Sequence, residues 1–297
     1  MSLPQPLRGI VTPLITPLEA DFSLDAASLD RLVDHVIGGG VNGIFPLGTS
    51  GEGPVLSMAT QRATIERACA AARGRVPVLA GVTHASVEES IGLARHAAAC
   101  GASAVVTAGP LYMPVSQSQL IDVTRRLADA SPIPVFLYNM PSHTHVFFEE
   151  ATVLELAAHP NITGLKDSSG QIMYLHGLRR RLEHRPDFSL LVGPEEMMPE
   201  CVMLGIHGGV NGGSNLFPEL YVSLYDAAMR GDLDTVRKLQ RRVQDVSTGA
   251  YGASYLLGVK CAAAALGLCR NVVAPPYRAL EGEAEARVRA AVARLRG

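Results

Sequence analysis

The feature that most constrains the fold is an alternation of short apolar runs with longer segments of helical spacing. Eight runs of three to six residues are rich in Val, Ile, Leu, Ala and Gly, and we predict them as strands at residues 9–14, 43–47, 77–80, 104–107, 134–138, 162–165, 190–192 and 208–210. Helices are predicted at residues 29–37, 58–72, 87–99, 117–129, 149–158, 172–183, 196–204 and 216–229. This alternation is typical of βαβ units in a parallel sheet. Strands that are apolar on both faces are buried between layers.

Eight strand–helix units within roughly 225 residues predict an α/β fold with a closed (β/α)8, or TIM, barrel. The alternative is an open, doubly wound sheet. That fold usually carries a G-x-G-x-x-G turn after its first strand, where this chain has Thr12-Pro13-Leu14. After residue 230 the strands stop, and helices are predicted at residues 231–247, 253–267 and 281–296. We therefore expect a barrel catalytic domain over residues 1–229 and a C-terminal three-helix domain over residues 230–297.

Composition argues against several classes of function. Lys and Arg total 26 and Asp and Glu total 28, so the chain lacks the basic excess of a nucleic-acid-binding protein. It also lacks a run of about 18 apolar residues that could cross a membrane. The five cysteines are odd in number and none are spaced as C-x-x-C, and the N-terminal residues do not resemble a signal peptide. We expect a cytoplasmic protein without disulfides, and neither a nucleic-acid nor a membrane partner.

Polar side chains follow five of the predicted strands. The segments are 48–52 (Gly-Thr-Ser-Gly-Glu), 138–141 (Tyr-Asn-Met-Pro), 166–170 (Lys-Asp-Ser-Ser-Gly), 193–196 (Gly-Pro-Glu-Glu) and 211–215 (Asn-Gly-Gly-Ser-Asn). In a (β/α)8 barrel, the C-terminal ends of the strands carry the catalytic residues. The sequence therefore predicts that these segments meet on one rim.

The use of lysine singles out one of these positions. Only three of the 26 basic residues are lysines, namely Lys166, Lys238 and Lys260. Arginine cannot lose its proton and so cannot act as an amine nucleophile. Lys238 lies in a charged helical segment and is expected to be solvated, and Lys260, in an apolar helix, is expected to snorkel or pair with a carboxylate. Lys166 follows a buried strand and is the candidate nucleophile. The alternative is a structural ion pair with a carboxylate on the rim.

A lysine in this position indicates Schiff-base chemistry. Apolar surroundings lower the pKa of a lysine ammonium, and the neutral amine can attack a ketone to form an imine. Tyr138, predicted on the neighbouring strand, could transfer protons, or could simply be a buried tyrosine with a satisfied hydroxyl. Residues 48–51 combine backbone N–H groups and two hydroxyls before a helix. They could bind a carboxylate or a phosphate, or could form only a capped turn.

Two weaker patterns concern other ligands. His143 and His145 could supply two metal ligands, but no third ligand is evident in the sequence. The Gly-rich residues 208–213 could cradle a phosphate, but they lack the Lys and Ser/Thr of a P-loop.

The order and spacing of three motifs resemble the dihydrodipicolinate synthase / N-acetylneuraminate lyase family of class I aldolases. The motifs are Gly48-Thr49-Ser50-Gly51-Glu52, Tyr138-Asn139-Met140-Pro141 and Gly164-Leu165-Lys166-Asp167. The resemblance extends over residues 9–275. It implies a (β/α)8 barrel with a C-terminal helical domain, a homotetramer built as a dimer of dimers, and catalysis without a metal or organic cofactor.

The resemblance also implies roles for single residues. Lys166 would form the Schiff base with pyruvate or another 2-oxo acid, and Tyr138 would donate and accept the protons. Tyr112 matches a tyrosine that the family lends across a subunit interface to complete a Thr–Tyr–Tyr proton relay, in which Thr49 is the threonine. The implied pyruvate-binding positions are Thr49, Ser50 and Val210, the last through its backbone.

Departures from the family pattern bear on the substrate. Synthases carry an arginine five residues after the catalytic tyrosine to bind the carboxylate of the aldehyde partner. This chain has His143 there, which cannot make the same bidentate pairing. Glu195 and Glu196 resemble the acidic pair with which sugar-acid lyases bind hydroxyls, and Ser168 matches a hydroxyl-bearing position in those lyases. Asn211 could add a polar contact. All four could instead be solvated or cap a helix.

Together these features predict a cytoplasmic, cofactor-independent lyase. It would cleave or form a hydroxylated 2-oxo acid through a lysine Schiff base, with pyruvate as product or donor. The alternatives within the family are 4-hydroxy-tetrahydrodipicolinate synthesis and dehydration of a deoxy-oxo sugar acid. The alternatives outside it are a metal-dependent aldolase and a binding protein that senses pyruvate-like acids.

Overall fold

The computed structural model describes residues 2–252 and 254–296, and eight parallel strands form a barrel in it. The strands are β1 Gly9–Thr12, β2 Gly43–Ile44, β3 Leu79–Gly81, β4 Ala104–Ala108, β5 Val135–Asn139, β6 Ile162–Asp167, β7 Ser189–Val192 and β8 Gly208–Gly209. β1 pairs with both β2 and β8, and the ladder runs from β8 in descending order to β3. A single parallel bridge from Ile44 to Val78 joins β2 to the start of β3. The predicted barrel is confirmed, and the open doubly wound alternative is wrong.

Helices connect the strands and continue beyond them. They are α1 Ala26–Gly38, α2 Met58–Ala72, α3 Val87–Ala99, α4 Gln117–Ala130, α5 Pro141–Thr144, α6 Glu150–Ala157, α7 Ile172–Arg181, α8 Met198–Met203, α9 Pro218–Arg230, α10 Leu233–Ala250, α11 Tyr255–Ala265 and α12 Gly282–Arg296. Serine side chains cap the first turns of α2, α3 and α4 by accepting a backbone N–H three residues on, which is why these helices begin where the sequence predicts. The short α5 escaped prediction, and residues 195–197 form a 3₁₀ turn before α8.

The apolar core has two parts. A small cluster fills the inside of the barrel and includes Val11, Phe45, Phe136 and Leu191. A Cβ added at Gly164 would lie 2.3 Å from the ring of Phe136, so the glycine makes room for that ring. A larger cluster lies between the strands and the surrounding helices. The filled barrel leaves room for a ligand only at its ends.

Beyond the barrel, α10, α11 and α12 form a C-terminal helical part that packs on α9. Gly231, with φ of +67°, ends α9 in the left-handed conformation that glycine adopts readily. The division into domains at residues 229 and 230 stays a prediction, and Met1, Ala253 and Gly297, at the ends of predicted segments, lie outside the described residues. All five cysteines are free, as expected. No helix in the described part of the chain is long and apolar enough to cross a membrane.

Candidate active site

Lys166 lies near the end of β6 and is only 6 % exposed. Strand register sets it directly beside Tyr138 of β5. Its Nζ lies 4.2 Å from the centroid of the Tyr138 ring and 5.1 Å from that of Phe45. Among the residues described, Lys166 forms no ion pair with a carboxylate. The Lys166 side chain is therefore buried at the end of β6 against two aromatic rings.

Tyr138 brings a hydroxyl to the same place. Its Oη lies 3.2 Å from Oγ1 of Thr49, and either atom could donate the hydrogen bond. Its ring packs edge-on against Phe45, with centroids 6.2 Å apart, and this contact fixes the direction of the phenol. Two groups able to exchange protons thus lie beside the Lys166 amine.

Thr49 and Ser50 are presented by a tight turn rather than by the start of a helix. The N–H of Gly51 donates to the carbonyl of Gly48, and Thr16 Oγ1 donates to the carbonyl of Gly51. A 3₁₀ turn over residues 53–55 follows this segment, and helix α2 begins at Met58. The Ser50 hydroxyl lies 2.6 Å from Oη of Tyr255 in α11, which holds it in place.

Glu195 is buried and its carboxylate is occupied within the protein. Oε1 accepts hydrogen bonds from the hydroxyls of Tyr221 and Tyr251, and Oε2 accepts one from the N–H of Gly213 at 3.0 Å. Burial raises the pKa of this carboxyl to about 7, against the lowering effect of the three hydrogen bonds. Both oxygens of Glu195 are thus engaged within the protein, at the wall of the cavity around Lys166. Its neighbour Glu196 is exposed on the cavity rim.

Of the other predicted substrate contacts, Ser168 and Val210 line the cavity, whereas Asn211 is bonded within the protein. Ser168 is half-buried beside Gly193, where a Cβ would lie 1.9 Å from its Oγ. The N–H of Val210 donates to the carbonyl of Val192, so only its carbonyl is left to contact a ligand. Asn211 is fully buried and donates to the carbonyl of Gly193 at 3.0 Å. It therefore supports the cavity wall from behind.

A cavity of about 260 Å³ surrounds the Lys166 amine. Its lining includes Thr49, Ser50, Tyr138, Ser168, Glu195, Glu196 and Val210. A second cavity of about 450 Å³ adjoins it at Thr49, Tyr138, Met140 and Tyr255, and is lined mainly by apolar side chains together with His143. Lys166 is the only Lys or Arg among the described residues that line either cavity.

His143 lies on α5 at the edge of the second cavity. Burial, and secondarily the nearby His145, lower the pKa of its imidazole from 6.5. This shift favours the neutral form of the ring.

Tyr112 does not reach the other predicted site residues within this chain. It is 95 % exposed in the segment after β4, and its backbone has φ of +75°. A non-glycine residue at positive φ is uncommon and is typical of positions with a special task.

Sequence reasoning missed the buried groups that support the site. Tyr221, Tyr251 and Tyr255 reach it from the helices after β8, and nothing in their local sequence shows which partners they have. Asp167 holds the ends of β5 and β6 together by accepting from Asn139 Nδ2 at 2.8 Å. The only feature of the sequence that could have indicated this supporting role of Asp167 is its position directly after Lys166 in a strand.

Comparison with known proteins places the chain in a family. The model of the dihydrodipicolinate synthetase family matches residues 6–295. The chain belongs to this family. It is accordingly a lyase with the family's barrel and C-terminal helices.

Three relatives show the range of this family. Dihydrodipicolinate synthase from Bacteroides thetaiotaomicron is 45 % identical, with a TM-score of 0.94 and coverage of 99 % of this chain and 100 % of that one. YagE from Escherichia coli K12, solved in complex with pyruvate, is 29 % identical, with a TM-score of 0.92 and coverage of 97 % and 98 %. The probable 2-dehydro-3-deoxy-D-pentonate aldolase YjhH of E. coli K12 is 35 % identical over 237 residues, 79 % of each chain. Family membership therefore does not fix the substrate.

Proposed function

We propose that this lyase cleaves or forms a hydroxylated 2-oxo acid through a Schiff base between Lys166 and pyruvate. The observation that carries the proposal is the environment of Lys166. Its amine is buried at the end of β6, faces two aromatic rings and has no carboxylate partner among the described residues. The complex of the relative YagE with pyruvate supports pyruvate as the ligand.

In the direction of cleavage, the Lys166 amine attacks the C2 carbonyl of the 2-oxo acid and gives a carbinolamine. Tyr138 donates a proton to the departing hydroxyl, which leaves as water and gives the iminium. The iminium accepts the electron pair of the C3–C4 bond as Tyr138 removes the proton of the C4 hydroxyl, and the aldehyde leaves. The enamine is then protonated at C3, and hydrolysis of the iminium releases pyruvate and the free amine.

The turn of residues 48–51 would hold the substrate carboxylate. The hydroxyls of Thr49 and Ser50 both line the cavity around Lys166. Ser50 is bonded to Tyr255, so its position does not depend on the substrate. The carbonyl of Val210 would contact the pyruvyl group from the opposite wall.

Tyr112 of a neighbouring subunit would complete the proton relay begun by Tyr138 and Thr49. The almost complete exposure of Tyr112 and its strained backbone support a role outside its own chain. This role requires an oligomer, and we propose a homotetramer arranged as a dimer of dimers in the cytoplasm. The iminium itself serves as the electron sink, so the reaction needs neither a metal nor an organic cofactor.

The charge of the two cavities supports a neutral, hydroxylated aldehyde partner. A second carboxylate would need a cation, and the described lining residues supply none beyond Lys166. His143 stands where the synthases have arginine, and the lowering of its pKa by burial favours the neutral imidazole. Ser168 and Glu196 offer hydrogen bonds to hydroxyl groups instead.

A second candidate is 4-hydroxy-tetrahydrodipicolinate synthesis, because the Bacteroides relative, named a dihydrodipicolinate synthase, is 45 % identical. It uses the same pyruvate chemistry and differs in the aldehyde, which would be aspartate semialdehyde. The two candidate functions therefore differ in which aldehyde the second cavity binds.

A pyruvate-release assay tests the proposal. The enzyme is incubated with a panel of 2-oxo-3-deoxy sugar acids, and pyruvate is measured with lactate dehydrogenase and NADH. In parallel, the consumption of pyruvate with aspartate semialdehyde is followed. We expect pyruvate release from at least one sugar acid, none from Lys166→Arg and full release from the surface control Lys238→Arg. Turnover of aspartate semialdehyde alone would establish the second candidate, and product formation without pyruvate would indicate a dehydratase.

One variant tests the charge argument directly. His143→Arg places a guanidinium at the edge of the second cavity, where it can pair with a carboxylate. We expect this variant to gain activity with aspartate semialdehyde relative to sugar acids. An unchanged preference would contradict the assignment of specificity to this position.

A further inference from the structure

Three residues with metal-binding side chains meet on the outside of the barrel, between α2 and α3. Glu66 lies on α2, His96 near the end of α3 and Cys100 directly after it. One ligand atom from each lies within 4.8 Å of the other two. None of these residues lines either cavity of the active site. The cluster therefore has no part in the lyase reaction proposed above.

The distances from the His96 ring nitrogen to the other two ligand atoms match a tetrahedral zinc site. His96 Nε2 lies 3.3 Å from Glu66 Oε1 and 3.7 Å from Cys100 Sγ. With zinc bonds of about 2.0–2.3 Å, the edges of a tetrahedron measure about 3.3 Å between nitrogen and oxygen and about 3.6 Å between nitrogen and sulfur. The third distance, from Glu66 to Cys100, is within 4.8 Å, and the exposed Glu66 side chain has room to move toward an ion held between the three groups.

An ordinary ion pair does not explain this arrangement. His96 Nε2 has three polar neighbours, because the backbone carbonyl of Arg62 also lies 3.3 Å away. A single ring N–H cannot donate at full strength to both the carboxylate and the carbonyl. The pair of His159 with Asp129 in the same chain shows the ordinary case, with one carboxylate at 3.0 Å.

We propose that Glu66, His96 and Cys100 bind a zinc ion that links α2 to α3. A nitrogen, a sulfur and an oxygen ligand together suit zinc, whereas magnesium and calcium prefer oxygen ligands alone. Glu66 is exposed, so water can occupy the fourth position. The ion joins two neighbouring helices of the outer layer and stabilises their packing without contact with the substrate.

Cobalt substitution tests the site. The full-length protein is treated with a chelator, desalted and titrated with Co²⁺. A bound thiolate gives a sulfur-to-cobalt charge-transfer band, and tetrahedral geometry gives intense visible bands. We expect both bands to saturate at one equivalent and to disappear when Zn²⁺ is added. Zinc should also raise the thermal midpoint of the wild-type protein.

Variants identify the ligands. Cys100→Ser should lose the charge-transfer band, and His96→Gln should weaken zinc binding at least tenfold. His159→Gln, which removes a histidine that is equally exposed and also paired with a carboxylate, should bind as the wild type does. Absence of the bands in folded wild-type protein would overturn the proposal. So would a band that persists in Cys100→Ser, because the thiolate would then come from another cysteine.

Discussion

Several elements of the chain supply the surroundings of Lys166. Tyr138 comes from β5 and Phe45 from the residue after β2, and their rings pack edge-on against each other next to the amine. Aromatic rings exclude water but leave the Tyr138 hydroxyl free to move protons. The proposed chemistry therefore depends on a single hydroxyl more than on the ring that carries it.

The first prediction removes this hydroxyl. Tyr138→Phe keeps the ring contacts with Phe45 and Lys166 but loses the bond to Thr49. Loss of a general acid–base lowers kcat by about 10²–10⁴-fold, so we expect a fall in this range with an unchanged thermal midpoint. Steady-state kinetics on the preferred substrate measure it. Near-normal kcat would show that another group carries the protons.

The second prediction concerns the buried carboxyl of Glu195. Its pKa is about 7 in the folded protein and near 4.5 when unfolded, so the folded state binds a proton more strongly between these values. The stabilisation from the protonated form is complete below pH 4.5 and is lost as the pH rises through 7, a change on the order of 3 kcal/mol.

The variant Glu195→Gln cannot titrate. We therefore expect its thermal midpoint to fall less than that of the wild type between pH 5 and pH 8. The exposed neighbour provides the control, since Glu196→Gln should keep the wild-type dependence. Parallel pH profiles for wild type and Glu195→Gln would contradict the assignment.

At the scale of elements, the sequence was sufficient to predict most helices and strands. Buried parallel strands are apolar throughout, and serine caps mark the starts of three helices, so their positions follow from local residues. The ends were harder. The second and last strands, β2 and β8, contain only two residues each, because pairing in a barrel ends where the chain turns away, and apolar residues beyond that point look the same in the sequence.

The ion pair of Lys260 was predicted from the sequence only in general terms, without its partner. Lys260 was expected to snorkel or pair with a carboxylate, and it forms a fully buried ion pair with Glu52 at 2.7 Å. Its Nζ also donates to the carbonyls of Thr16 and Val272. The second oxygen of Glu52 accepts the N–H of Ala274. This group of contacts ties α11 and the segment after it to the turn that carries Thr49 and Ser50.

The third prediction breaks this connection. Lys260→Met leaves the Glu52 carboxylate buried without its partner, and loss of one member of a buried pair costs about 3–5 kcal/mol. We expect a correspondingly lower urea midpoint, partly restored by adding Glu52→Gln. The exposed control Lys238→Met should unfold as the wild type does. A loss below about 1 kcal/mol would mean that the pair contributes little to stability.

At the scale of the whole molecule, the site joins parts of the chain that are far apart in sequence. Ser50 and Tyr255 are separated by 205 positions, and Glu195 and Tyr251 by 56. No local pattern reveals such pairs, so the tyrosine partners of Glu195 could not be predicted from the sequence. The candidate nucleophile Lys166 and its neighbour Tyr138 could be predicted from the sequence, because adjacent strands place them side by side.

The fourth prediction tests whether the site extends across subunits. Tyr112→Phe removes only an exposed hydroxyl, so we expect an unchanged thermal midpoint and unchanged mass by light scattering, but a kcat at least tenfold lower. Mixing this variant with Lys166→Arg should restore part of the activity if subunits exchange, because some sites then combine an intact lysine with an intact partner tyrosine. Full activity of the Tyr112→Phe variant alone would show that the Tyr112 hydroxyl takes no part in the proton relay.

Trapping with borohydride shows whether Lys166 forms a Schiff base with pyruvate. The protein is incubated with pyruvate, reduced with sodium borohydride, digested and mapped by mass spectrometry. The three lysines of the chain make the assignment unambiguous. We expect one reduced pyruvyl adduct per chain on Lys166, none in Lys166→Arg and an undiminished adduct in Lys238→Arg. An adduct on Lys260 or Lys238, or full turnover by Lys166→Arg, would contradict this expectation.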